Sequence, residues 1–136
     1  MYADPNAIRA LAGALRARAE EIRAAADQLV GDATAVRWTE QAAEAMRGRA
    51  ADGASDLRRS ALLHDDAAAA LERHAAAVEH VQAVIHAVWS RVTGFVADVR
   101  SGAVSVGDDV ARWADDFVAP PAGAPEWLHV DLPFGL

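Results

Sequence analysis

The stretch Val36–Arg47, VRWTEQAAEAMR, lies between two long alanine-rich segments and decides how the chain folds. A tryptophan at the bend of a helical hairpin can close the open end of the core, because its side chain buries roughly 150–250 Å². Trp38 is placed to do this. Thr39 is an acceptable N-cap, and Glu40 suits the positive end of a helix dipole. The stretch therefore predicts a turn at residues 37–40 between two helices.

The first helix is predicted over about residues 5–36. Asp4 and Pro5 open it, since a capping carboxylate and a proline at the first helical position are both favoured. Large apolar residues recur every seven positions, Leu11 lies half a turn away, and alanines line the flank. The large residues are Ile8, Leu15, Ile22, Leu29 and Val36, and the alanines are Ala12, Ala19, Ala26 and Ala33. Such a pattern is typical of a helix that another helix approaches closely.

The second helix is predicted over about residues 40–100, which completes a hairpin over residues 1–104. Its apolar positions include Met46, Leu57, Leu71, Val78 and Ile85. Sixty helical residues would span roughly 90 Å, against about 48 Å for the first helix. A break near Leu62–Asp66, with Asp65 as a new cap, would remove the mismatch. We favour the alternative, in which the part after about Arg73 extends past the first helix and needs a partner.

A short helix and an irregular tail are predicted after the hairpin. Ser105 and Asp108 have the spacing of a capping box, which predicts a helix over residues 105–118. Residues 119–136 are rich in proline and glycine, but they contain Trp127, Leu128, Leu132 and Phe134. So many apolar residues are unusual in an inert linker. The tail is therefore expected to dock, by folding back over the second helix or by binding another molecule.

Composition excludes several function classes. A length of 136 residues indicates one domain, and a net charge of −7 argues against a nucleic-acid-binding surface. Cysteine is absent, so no disulfide or thiolate metal site is expected. The most apolar window, residues 81–99, is interrupted by polar residues and predicts no membrane span. No cleaved signal peptide is recognisable at the N-terminus, so export would need another route.

No catalytic, cofactor or metal site is predicted. His74, His80 and His86 are six residues apart and so do not share a helix face. The sequence has no nucleophile elbow, phosphate loop or zinc signature, and we expect neither enzymatic activity nor a small-molecule substrate. His64 and His74 do fall on the apolar rows. Protonation inside an apolar seam is unfavourable, which makes them candidate pH-sensitive positions.

The apolar rows themselves are the strongest functional signal. A two-helix hairpin cannot bury a full apolar stripe on each helix, so such hairpins pair into four-helix bundles. We therefore expect an all-α chain that forms a long antiparallel hairpin and dimerises. The alternative is a monomeric three-helix domain closed by the short helix at 105–118.

The hairpin resembles the WXG100 (ESX-type) proteins of type VII secretion over roughly residues 5–90. The resemblance lies in Trp38 at the bend, in WTEQAAEAMRGRAADGASDLRRSA after it, and in AAAALERHAAAVEHV further on. It implies a homodimer or heterodimer with another such hairpin, and secretion without a cleaved signal as exported factor or export partner. Glu40 stands where the family has glycine. The family's export signal, a tyrosine followed four residues later by an acid, is not found, so a partner would supply it.

Two other functions are compatible with the same residues. A cytoplasmic adaptor or chaperone-like bundle would shield an apolar helix of a neighbouring gene's product. A purely structural bundle is the third possibility.

Overall fold

The computed structural model describes residues 4–37 and 39–133. Within these ranges the regular structure is entirely helical, which confirms the all-α prediction. The elements are α1 (Pro5–Ala35), α2 (Glu40–Ser101), α3 (Asp108–Asp116) and a 3-10 helix (Pro125–His129). Trp38 and Phe134, singled out in the sequence, lie outside the described residues.

The chain consists of two compact units. The hairpin unit runs from Asp4 to Ala76, and the C-terminal unit begins at Ala77. The hairpin unit contains α1 and the first part of α2, and the C-terminal unit contains the rest of α2, α3 and the tail. Among the described residues, no helix offers a window long and apolar enough to cross a bilayer.

Local signals define both ends of α1. The Asp4 carboxylate accepts a hydrogen bond of 2.9 Å from the backbone N–H of Asn6, and Pro5 fills the first helical position. Both features stabilise a helix N-terminus. At the other end the N–H of Val36 donates to the carbonyl of Asp32, after which the backbone becomes extended.

Helix α2 is continuous over 62 residues, with no break at Leu62–Asp66. Alanine is the strongest helix former and no proline interrupts the segment, which outweighs the cost of the glycines at 48, 53 and 94. The helix ends at Gly102, whose φ of 77° is readily reached only by glycine. The N–H of Gly102 donates to Val99 and that of Ala103 to Asp98, which together form a Schellman motif.

Helix α3 is shorter than predicted, because its N-cap is Gly107 and not Ser105. Gly107 makes no side-chain capping bond, so the expected capping box is not formed. The C-terminal end is held from outside the helix. The guanidinium of Arg100 donates to the carbonyls of Ala114 and Phe117 at 3.0 and 3.1 Å. A cation suits this end, where the last carbonyls lack helical partners.

The tail is ordered by contacts within itself. A turn with Gly123 at φ 77° brings the N–H of Ala124 to the carbonyl of Pro121 at 3.0 Å. That carbonyl also accepts a 2.9 Å bond from the indole Nε1–H of Trp127. Pro125 then starts the 3-10 helix, a regular turn that the sequence pattern did not predict. We call residues 119–133 the strap.

Candidate protein-binding face

Alanines form the contact between α1 and α2, and we call this contact the alanine seam. Its members are between 0 and 5 % exposed: Ala12, Ala19, Ala26 and Ala33 on α1, and Ala54, Ala61, Ala68 and Ala75 on α2. Small side chains allow two helices to approach at the short end of the usual interaxial distances. Near one end of the seam, a Cβ placed on Gly53 would lie 3.3 Å from Cδ2 of Leu29.

Ion pairs line one side of the seam. Arg16 forms a bidentate pair with Glu72, in which Nη2 and Oε2 are 2.9 Å apart, and Arg23 pairs with Asp65. Moving seven residues forward along α1 thus moves seven backward along α2, so the two helices are antiparallel. Arg16 holds the pKa of the Glu72 carboxyl below its ordinary value, through its hydrogen bond and its charge. We call this side the charged edge.

The other side of the seam carries large apolar residues. Each lies three residues after a seam alanine or, for Ile8, after the buried Pro5, which is about 60° around the helix. The paired charges lie four residues after a seam alanine, about 40° the other way. The charged residues of both helices meet on one side, so the apolar rows of both helices share the opposite side. These residues are half-buried: Ile8, Leu15, Ile22 and Leu29 on α1, and Leu57, His64 and Leu71 on α2. We call them the apolar edge.

Three other residues of the predicted seam are more open to solvent. Leu11 is 54 % exposed, and Val36 and Met46 are also exposed. Leu11 lies one residue before Ala12, on the same flank as the apolar edge. In this chain the large residues therefore flank the contact between α1 and α2, while its centre is alanine. Thr39 and Glu40 of the predicted motif are exposed at the start of α2.

The two histidines have different surroundings. His64 is half-buried on the apolar edge, and its Nδ1 lies 2.7 Å from the carbonyl oxygen of Ser60. When Nδ1 carries the proton, it donates a hydrogen bond to this carbonyl, which lies one turn earlier in the helix. His74 is exposed, so the burial expected for it is not found. His74 is therefore not part of the apolar edge, although it falls on an apolar row of the sequence.

The C-terminal unit has a core of large side chains. Ile85, Val92, Val96 and Trp127 are buried together, and Trp127 is only 1 % exposed. Val78 of the predicted seam is also buried. Aromatic rings extend this core, with ring centroids 5.0 Å apart for Trp113 and Phe117 and 6.3 Å apart for Phe117 and Trp127. Trp127 is thus the residue through which the strap enters the core.

Of the other apolar residues of the strap, some face the C-terminal core and one faces solvent. Leu132 and Val130 pack against the C-terminal core as partly buried side chains. Leu128 faces outward and is 40 % exposed. Leu128 follows Trp127 in the 3-10 helix, where neighbouring side chains point about 120° apart, so it faces away from the core that Trp127 enters.

The C-terminal unit also holds a pocket. A small open cleft in the C-terminal unit, about 180 Å³, is lined by Thr93, Val96, Ala97, Arg100, Phe117 and Ala119. Arg100 is already engaged there with carbonyls of α3 and Phe117. Among the described residues, no three His, Asp or Glu side chains are grouped so that they could hold a metal ion.

Sequence reasoning identified the apolar rows and missed the residues that pair across the seam. Arg16 and Arg23 are seven residues apart, as are Asp65 and Glu72, with opposite charges on the two helices. Matching these two repeats in antiparallel order would have located the charged edge. Trp113 and Phe117 are four residues apart, which is a helical spacing, but the spacing does not show what they contact. Their contacts, and those of Arg100, depend on how α3 turns back.

The chain matches no protein-family model, and neither a curated protein nor a solved structure is similar enough to it to count as a match.

Proposed function

We propose that this chain is a WXG100-like pairing module of a type VII secretion system, which dimerises through the apolar edge. It acts as an exported factor or as the partner of one, by a route that needs no cleaved signal. The proposal assigns it no catalytic chemistry. Trp38 at the bend supports the family assignment, although Glu40 replaces the family's glycine, and the apolar edge supports the pairing.

The apolar edge is the observation that carries the proposal. It presents seven side chains from two helices on one flank, and six of them are aliphatic. Contiguous apolar surface of this kind is typical of protein–protein contacts. The charged edge on the opposite flank already has its partners within the chain. A second hairpin would therefore pack against the apolar edge and give a four-helix bundle.

Aspartate substitutions on the apolar edge test the pairing. Leu15→Asp and Leu71→Asp would each place a charge where two hairpins meet, without entering the alanine seam. We expect sedimentation equilibrium to show a dimer for the unchanged chain. Each variant should raise its dissociation constant by at least about thirtyfold, the equivalent of about 2 kcal/mol.

Leu63→Asp is the matched control. Leu63 is 64 % exposed and follows Ala61 by two residues, so it faces about 200° away from the seam alanine. This variant should dimerise like the unchanged chain. A monomeric unchanged chain, or equal weakening by Leu63→Asp, would contradict pairing through the apolar edge.

Export is tested separately, in cells that carry a type VII system. The chain should appear in the culture medium together with its partner, and Leu15→Asp should reduce its export while leaving its amount inside the cells similar. Export of Leu15→Asp at the unchanged level would separate pairing from secretion. Retention of the unchanged chain in the cells would favour the adaptor function.

A further inference from the structure

One row of α2 residues spaced seven apart is buried to different degrees in the two units. Leu57, His64 and Leu71 are half-buried in the hairpin unit. Val78, Ile85 and Val92 continue the row and are buried in the C-terminal unit. There Trp127 of the strap is buried with Ile85, Val92 and Val96, and Trp113 and Phe117 pack against the same cluster from outside the strap. We call Ile85, Val92 and Val96 the covered strip.

The strap is built to dock as a preformed unit. The carbonyl of Pro121 accepts hydrogen bonds from Ala124 N–H and from the Trp127 indole, so the turn and the side chain fix one another. Prolines at 120, 121 and 125 reduce the freedom of the undocked segment. Preorganisation lowers the cost of docking. Within the strap, Trp127 is the one large side chain that is fully buried.

The strap buries one large side chain completely, Trp127, and Val130 and Leu132 only in part, which makes the cover displaceable. The polar bonds of Trp127 are satisfied inside the strap, so releasing the strap from α2 leaves its indole N–H still paired with Pro121. The covered strip consists of branched aliphatic side chains on a regular helix. A helix with Ile and Leu at seven-residue spacing fits such a strip, and α1 of a second copy has this pattern at Ile8, Leu15, Ile22 and Leu29.

We propose that the strap is a competitive cover, which occupies within one chain a strip of α2 that would otherwise bind the apolar edge of a second copy. The strap thereby limits how tightly the chain associates with itself. This inference rests on the pairing proposed above. It adds a regulated second contact surface to that pairing.

Two variants of the full chain release the strap by different routes. Trp127→Ala removes the anchor. Gly123→Val puts a β-branched residue at a φ of 77°, which strains the turn without altering a side chain of the core cluster. Both should tighten self-association at least about tenfold in sedimentation equilibrium, the gain expected if the strap is closed nine-tenths of the time or more. Leu128→Ala, at an exposed neighbouring position, is the control and should leave the dissociation constant unchanged.

A peptide of residues 119–133 tests the competition directly. Added to the Trp127→Ala chain, it should reverse the gain in association, whereas the same peptide with alanine at position 127 should not. Far-ultraviolet circular dichroism checks that both variants keep their helix content. If Trp127→Ala loses helix, the decision rests on Gly123→Val.

The outcomes separate this inference from the proposed pairing. A dimeric unchanged chain with no tightening in the helical variants would overturn the cover and leave the pairing intact. A monomeric unchanged chain whose variants associate would support the cover and contradict pairing of the closed chain. No association in any form would overturn both.

Discussion

The hairpin unit and the C-terminal unit bury α2 in opposite ways. In the hairpin unit the buried residues are alanines, apart from Pro5, and the large residues Leu57 and Leu71 remain half-exposed beside them. In the C-terminal unit most of the buried residues are larger than alanine, and Ile85 and Trp127 are almost completely enclosed. The same helix is therefore held by a close fit of small residues in one unit and by large apolar side chains in the other.

The two kinds of contact differ in how much large apolar side-chain surface they leave exposed. An alanine buries one methyl group, worth about 0.8 kcal/mol, whereas a large side chain contributes roughly 1.5–3 kcal/mol. The alanine seam lets α1 and α2 approach closely and fixes their relative alignment. It leaves the Leu and Ile side chains of the apolar edge available to an outside partner. The C-terminal core uses its large side chains internally. The unit with the weaker internal burial is thus the one with a free apolar edge.

The largest effect is expected from removing the anchor of the C-terminal unit. Trp127→Ala should destabilise that unit by about 3–5 kcal/mol, because it removes the largest fully buried side chain of the core. Hydrogen exchange should show loss of protection at Ile85–Val96 with little change around Ala61 in the hairpin unit. Equal loss in both units would show that the two kinds of contact do not act separately. Leu128→Ala should change neither.

A smaller loss is expected from overfilling the alanine seam. Ala61→Leu should destabilise the hairpin unit by about 1–3 kcal/mol, since a larger side chain forces the helices apart. Ala70→Leu is the matched control, because Ala70 is exposed on the same helix and accepts a leucine without contact. Thermal melts of the two variants measure the difference. Equal melting temperatures would mean that close approach at the seam is unimportant.

Two glycines of α2 test the close approach with smaller changes. Gly48→Ala should stabilise the helix by roughly 0.5–1 kcal/mol, because nothing lies within 4 Å of the added Cβ. Gly53→Ala should gain less, because its Cβ would require Cδ2 of Leu29 to move by a few tenths of an ångström. Denaturant unfolding of the pair measures this. An equal gain at both positions would place the helices further apart than the seam implies.

The smallest expected effect is that of acid on the charged edge. Arg16 lowers the pKa of Glu72 in the folded chain, so this pair stabilises the hairpin above the unfolded pKa, ordinarily 4.5. The contribution is lost as pH falls below that value through the folded pKa. Glu72→Gln should therefore reduce the fall in melting temperature over this range. Glu21→Gln, whose Arg18 partner is on the same helix, controls for loss of a surface carboxylate.

The sequence predicted the helices well because their signals are local. Asp4 and Pro5 mark the start of α1, and the alanine content of α2 carries the helix past Leu62–Asp66. The seven-residue rows also showed which flanks are apolar. They did not show which row would lie at the centre of the contact between α1 and α2. The alanine row and the leucine row are about 60° apart on the helix, and both repeat every seven residues. The choice depends on how closely two helices approach, which is a property of the pair.

The C-terminal unit was harder to predict because its contacts are not periodic. The anchor role of Trp127 depends on the turn at Gly123 and on a hydrogen bond to Pro121. Arg100 is fixed by carbonyls of residues 14 and 17 positions later, with no side-chain partner to suggest it. Ser105 is not the N-cap of α3, because that position is taken by Gly107, two residues further along the chain.

The antiparallel register of the charged edge also limits how the hairpin can change in length. Deleting one residue between Arg16 and Arg23 would turn the rest of α1 by about 100°. Arg23 would then leave Asp65, and Ala26 would leave the seam. Adding seven residues to each helix, at matched heights, would lengthen the hairpin and restore every pairing beyond the insertion. Homologous hairpins with this seam should therefore differ in length by whole multiples of seven residues in both arms together.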